Sequence, residues 1–182
     1  MTNRVFLDWS HWSAGSRGSV ATVTQRDSDR SSVYAVEDQW GQILDRGGDL
    51  DFFGSHLHLP KQRVLLELAA IQHYVDDLLS QCAGDQSVPV EVRHRRGVTR
   101  AHYEPRPIAA IAIPIGVAWA CREVVILHEL AHHLRYQSAS GSLHHDEGFR
   151  GQLVTLADHA LGPEAAFALR AGYLGAGLGV EP

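Results

Sequence analysis

The stretch WACREVVILHELAHHLRY, residues 119–136, decides how the rest of the chain is read. Ala120, Val124, Leu127, Ala131 and Leu134 recur at helical spacing and form one continuous apolar stripe, the pattern of a helix laid against a core. Within it, His128-Glu129-Leu130-Ala131-His132 sets two imidazoles one turn apart. Side chains at i and i+4 are about 5–6 Å apart at Cβ, so both rings can converge on one ion. Zinc takes neutral imidazole nitrogen at about 2.0–2.1 Å, and a catalytic zinc site has three protein ligands and an open position for water. Glu129, next to that position, has the chemistry of a general base. With 12 histidines in 182 residues, chance would produce this motif only about 0.04 times, so a metal is the stronger reading.

The third ligand decides which branch of such proteins the sequence follows. An extended motif of the metzincin type needs Gly at 135 and His at 138, where the sequence has Arg135 and Ser138. Met1 is the only methionine, which excludes a Met-turn. A distant glutamate would be Glu147 or Glu164, and a histidine or aspartate is offered by His144-His145-Asp146, just before the next helix.

Working outward, the spacing predicts a short helix over 33–45 stopped by Gly47-Gly48, an extended segment over 50–59, and an amphipathic helix of about twenty residues from Val64 to Gly84. Strands are expected at 88–92, 99–103 and 108–113. A helix over 147–161 follows, then a last one from Pro163 to Gly172. Strands in the middle and helices after them give an α+β class. Residues 1–31, rich in Ser, Thr, Arg, Asp and Gly, read as a flexible leader. The domain then spans 32–174, with a frayed Gly-rich tail at 175–182.

Composition narrows the function. Apolar residues make up 45%, enough for a core, and the formal charge of −5 argues against wholesale coating of nucleic acid. Cys82 and Cys121 are too few for a disulfide framework, so a reducing, cytoplasmic setting is expected. The longest apolar stretch, 108–121, is broken by Pro114 and Gly116 and is too short to span a bilayer. Arg93, Arg95, Arg96, Arg100 and Arg106 form a basic stretch, read first as a solvated strand face and otherwise as a groove for acidic peptide or DNA. Arg150, Tyr136, Tyr173 and His144 are candidate donors to a developing oxyanion, with His144 and Tyr173 foremost. Asp158 or His159 could orient a ligand histidine through its other ring nitrogen. His56 and His58, two apart on a strand, read as structural or solvated.

The HExxH of 128–132 followed by His145-Asp146-Glu147-Gly148-Phe149 resembles the HExxH…HGxxF pattern of SprT-like and minigluzincin-type zinc proteins. It departs from that pattern in having Asp146 at the Gly position. The resemblance implies His145 as third ligand, with His144, Asp146 and Glu147 as the neighbouring choices. It also implies a zincin-like fold: a small mixed sheet, an HExxH helix and C-terminal helices, with strand 108–113 running along the cleft. Val33-Tyr34-Ala35, Phe52-Phe53-Gly54-Ser55, Ile71-Gln72-His73-Tyr74-Val75, Ala101-His102-Tyr103 and Ile111-Ala112-Ile113-Pro114 are similar to segments of an uncharacterised bacterial and phage metallohydrolase family. The expectation is a cytoplasmic hydrolase using one Zn²⁺ ion held by His128, His132 and His145, with Glu129 as catalytic base and a peptide or protein as substrate. Its rivals are a non-catalytic zinc-binding module or regulator, and a DNA-associated hydrolase.

Overall fold

Val33, Val36, Trp40 and Leu44 fall three or four residues apart and wind Arg30–Arg46 into helix α1 with one buried face. The computed structural model describes residues 27–181 apart from 53, 84–86, 98–99 and 139–140. After α1 come strands β1 (Gly48–Phe52) and β2 (Ser55–Leu59), helix α2 (Leu68–Ala83), strands β3 (Glu91–His94), β4 (His102–Glu104) and β5 (Ala110–Ile113), and a 3₁₀ turn at Ala118–Cys121. Helices α3 (Glu123–Gln137), α4 (Glu147–Leu161) and α5 (Pro163–Gly175) complete the order. The α+β class therefore holds.

The expected extended segment 50–59 is a hairpin. β1 and β2 pair antiparallel, with Leu50 opposite Leu57, and the backbone turns at Gly54 with φ +80. Its polar face carries the cross-strand pairs Asp49–His58 and Asp51–His56, each at 2.9 Å. These histidines are exposed and lie in carboxylate pairs. Helix α2 starts at Leu68, not Val64, because Val64 is taken up in a bridge to Arg122. The expected stop at Gly84 lies outside the described residues.

The second sheet has the order β3-β5-β4, with β3 parallel and β4 antiparallel to β5. This corrects the expectation that 108–113 runs along the cleft. All four residues of β5 are buried between two neighbours, so the edges of this sheet are β3 and β4.

Helix α3 packs on α4, and α4 on α5 and α2. Trp40 Nε1 donates to the Ala165 carbonyl at 3.0 Å and ties α1 to α5. Helix α4 covers 147–161, as the sequence predicts, and ends at Gly162, whose φ of +89 suits a residue without Cβ. Helix α5 runs through Gly172, which is buried, to Gly175.

Two boundaries also change. The tail is not frayed, because Leu178 is buried, the Gly179 carbonyl accepts from Arg150 and Glu181 N–H donates to the Glu147 carbonyl. At the other end, Asp27 and Asp29 are already part of the folded body, where they meet His145 and Arg150. Residues 1–26 of the expected leader lie outside the described residues. No helix among the described residues is long and apolar enough to cross a membrane.

Candidate metal centre

Helix α3 carries its motif inward, and His128, Glu129, His132 and His133 are all buried. His145 reaches the same place from the connection between α3 and α4. That connection is fixed by Asp146, the N-cap of α4, which accepts from Phe149 N–H at 2.9 Å and pairs with Arg135 of α3 at 2.9 and 3.1 Å. Gly148 allows the close approach, since a Cβ there would lie 2.4 Å from the Arg135 Cζ that Asp146 holds in place.

The result is a buried group of His128, His132 and His145, each offering one ligand atom, with all three atoms within 4.8 Å of one another. Three histidines so placed can hold a metal ion. His128 Nδ1 lies 2.7 Å from Glu37 Oε2, and His145 Nδ1 lies 2.6 Å from Asp27 Oδ2. A carboxylate partner keeps the proton on Nδ1 and turns the Nε2 lone pair toward the shared space. Those two Nε2 atoms stand 3.3 Å apart. Nitrogens bound to one tetrahedral zinc at 2.0–2.1 Å are separated by about 3.3–3.4 Å, so the spacing fits. Facing lone pairs at this distance need a proton or a cation between them. His132 Nδ1 is buried with no hydrogen-bond partner among the described residues.

Rings enclose the group. Phe149 lies 5.0, 4.4 and 4.8 Å from the centroids of His128, His132 and His145, and Tyr34 stacks on His128 at 5.2 Å. Burial and the two neighbouring imidazoles push His132 down to about 2, so it stays neutral. Burial and His128 likewise lower His145. Burial opposes charge on His128 too, but the Glu37 carboxylate outweighs it and raises that ring above its ordinary value. Of the three rings, His128 is thus the one on which an added proton is least disfavoured.

Glu129 is buried beside the triad. Burial pushes its carboxyl up, against the pull of His128 and of a hydrogen bond from the Tyr103 main chain on β4. A cleft of about 470 Å³ opens here, lined by His128, Glu129, His132 and His145 together with Tyr34 and residues 100–103. A second hollow of about 230 Å³ shares Tyr34, Arg100, Ala101, His128 and Glu129 with it and extends to Trp119 and Val125. The two form one groove across the motif helix.

Of the residues singled out from sequence, the structure brings together His128, Glu129, His132 and His145. His144 is half-buried, its N–H donating to Ser142 Oγ, and it is not in the triad. Asp146 caps α4, Glu147 is exposed, and Glu164 accepts from the His58 N–H. Tyr173 does not face the cleft: its hydroxyl donates to Glu37 Oε1 at 2.8 Å, behind His128. It therefore steadies Glu37. Asp158 and His159 are exposed, and Asp158 is nine residues along α4 from Phe149, about 13–14 Å away. The structure does not bring either to the triad. Arg150 binds the His145 carbonyl from behind, and Tyr136 meets Arg106.

Glu37, Asp27 and Tyr34 were missed. Glu37 had a signal, since it sits within the apolar face of α1 between Val33, Val36, Trp40 and Leu44. A charged residue there needs a partner. Asp27 had none, because it lies outside any periodic segment. In comparisons with protein-family models, curated proteins and solved structures, nothing matches this protein. The resemblances drawn from its sequence rest on the quoted motif residues alone.

Proposed function

We propose that the protein is a zinc-dependent hydrolase of the metallopeptidase type, with His128, His132 and His145 as ligands of one zinc ion and Glu129 as general base. The single observation that carries this is the buried three-histidine group with Glu129 beside it, open to a cleft. Zinc, when bound, lowers the pKa of water to about 7 and polarises a carbonyl. Glu37 and Asp27 hold two of the imidazoles in the tautomer that presents Nε2. Glu129, raised by burial and restrained by the Tyr103 N–H, takes the proton of the attacking water and returns it to the leaving nitrogen.

A peptide suits the groove because β4 is an open edge and residues 101–103 line the cleft. An extended peptide can pair with such an edge. The two free cysteines, Cys82 and buried Cys121, accord with a reducing, cytoplasmic setting. A zinc kept only for structure would be closed by a fourth protein ligand. Among the described residues the group comprises three histidines, and Glu129 faces open space.

The test is elemental analysis and peptide hydrolysis on wild type, Glu129→Gln and His145→Ala. Glu129→Gln should keep a full complement of zinc and lose turnover, while His145→Ala should lose the metal. Equal zinc in wild type and His145→Ala would remove the assignment, and full activity in Glu129→Gln would remove the mechanism.

A further inference from the structure

Two groups stand out among the described arginines. Arg63, Arg93, Arg122, Arg135 and Arg150 are each paired with a carboxylate of the fold: Glu123, Glu104, Asp45, Asp146 and Asp29. Arg30, Arg95 and Arg100 line the 470 Å³ cleft beside Glu129 and the triad, and none has an ion-pair partner among the described residues. They come from separate elements, Arg30 from the start of α1 and the others from the connection between β3 and β4. Arg30 is held over the Tyr34 ring at 5.4 Å, and Arg95 Nη1 donates to the Arg100 carbonyl at 2.9 Å. Each keeps further N–H donors for a ligand. Of the two carboxylates in the same cleft, Asp27 is engaged by His145, and Glu129, which feels the Arg95 charge, is the base of the proposed reaction. Three guanidinia with no ion pair among the described residues therefore line one concave space in a protein whose formal charge is −5.

From this juxtaposition we infer that the cleft selects an acidic peptide, one bearing a carboxylate within a residue or two of the bond that is broken, gripped by Arg30, Arg95 and Arg100. The inference rests on the reading of this cleft as the place where a peptide is hydrolysed. A carboxylate matches the guanidinium fork in geometry and charge. It can come from an Asp or Glu side chain or from the C-terminus of the peptide, and the arginines read the shared group. Nucleic acid fits less well, because its affinity comes from many phosphates on a broad basic surface, whereas these three charges line a cleft beside an open strand edge.

The experiment measures binding apart from turnover. The zinc-loaded full-length protein with Glu129→Gln is titrated by fluorescence anisotropy with matched peptides: an internal Glu, the same position Gln or Lys, each with a free or amidated C-terminus, and a single-stranded oligonucleotide. Binding should favour the Glu or free-carboxylate peptide over the amidated Gln peptide by about tenfold or more, and the advantage should shrink with added salt. Arg100→Glu in the same background should turn the preference toward Lys, and Arg95→Gln should lose part of the acidic advantage. Both variants should retain zinc, which shows that they fold. Equal affinity for all peptides, or a tighter oligonucleotide, would overturn the inference. Cleavage of neutral peptides by wild type without acidic preference would sink it and leave the hydrolase standing. Acidic selectivity in binding with no cleavage of any peptide would sink the hydrolase and leave the selectivity.

Discussion

Two arms of the molecule meet at the triad, and they are built differently. The α3 arm, with α4 behind it, supplies His128, Glu129 and His132 within one turn of helix and His145 seventeen residues after His128. The α1 arm supplies the carboxylates that orient those rings, Glu37 at a separation of 91 residues and Asp27 at 118. Two of the three candidate ligands are written at a spacing that one helix dictates and the third follows in the next connection, whereas the groups that hold them come from wherever the fold happens to bring a carboxylate. The difference teaches that a local motif names donors that could hold a metal ion but not what fixes their tautomer and aim.

The most severe way to separate the arms is to cut the chemistry on α3 and leave α1 whole. Glu129→Gln should lower peptide turnover by about 10²–10⁴-fold with zinc content unchanged. Retention of activity would mean that the base lies elsewhere, on the α1 arm.

Breaking the joint between the arms comes next. Arg150 is 2% exposed and binds Asp29, the His145 carbonyl and the Gly179 carbonyl. Arg150→Met should cost about 3 kcal/mol in urea unfolding, because it strips partners from buried polar groups. A cost within a few tenths would show that the arms fold independently.

A finer contrast lies inside the α1 arm. Glu37→Gln and Asp27→Asn should each weaken zinc binding by about 10–100-fold in competitive chelator titrations. Glu37 should be the costlier, since its side chain is 11% exposed against 22% for Asp27 and it also holds Tyr173. Equal losses would erase the distinction between an orienting group on a rigid helix and one ahead of it.

The smallest effect belongs to a pair outside both arms. The hydrogen bond from Arg93, assisted by its charge, holds Glu104 below the usual carboxylate range. A lowered folded-state pKa adds stability above the ordinary carboxylate value, and that stability is lost as pH falls through the lowered one. Glu104→Gln should therefore cost less than about 1 kcal/mol at neutral pH and flatten the acid side of the stability profile slightly. A drop in zinc affinity with this variant would tie the β3–β4 region to the triad.

Much of the helical frame was legible. The bounds of α4 and the inward face of α3, with His128, Glu129 and His132 on it, follow from 3.6-residue spacing, caps and one short motif, whereas His145 was named only through a family resemblance, with His144, Asp146 and Glu147 as its neighbouring choices. The hairpin was not legible, because a ten-residue extended run with one turn residue, Gly54, reads the same whether straight or folded back. The place of β5 at the sheet centre was hidden for a related reason: Ala110–Ile113 is apolar at every position, which marks burial on both faces but names no neighbour. The packed ends escaped because 27–31 and 175–181 have no periodicity. Their order comes from Arg150 and from Leu178, contacts that only tertiary structure creates.

That one guanidinium also makes the first and last described stretches of backbone answerable to any ion the three histidines hold. Asp29 and Gly179 are drawn to the same side chain that grips the carbonyl of His145, so a cation that stiffens this ring must quiet both extremities of the fold together. Chelation would then register in amide exchange far from the histidines, as a concerted loosening of the 27–29 and 178–181 backbones.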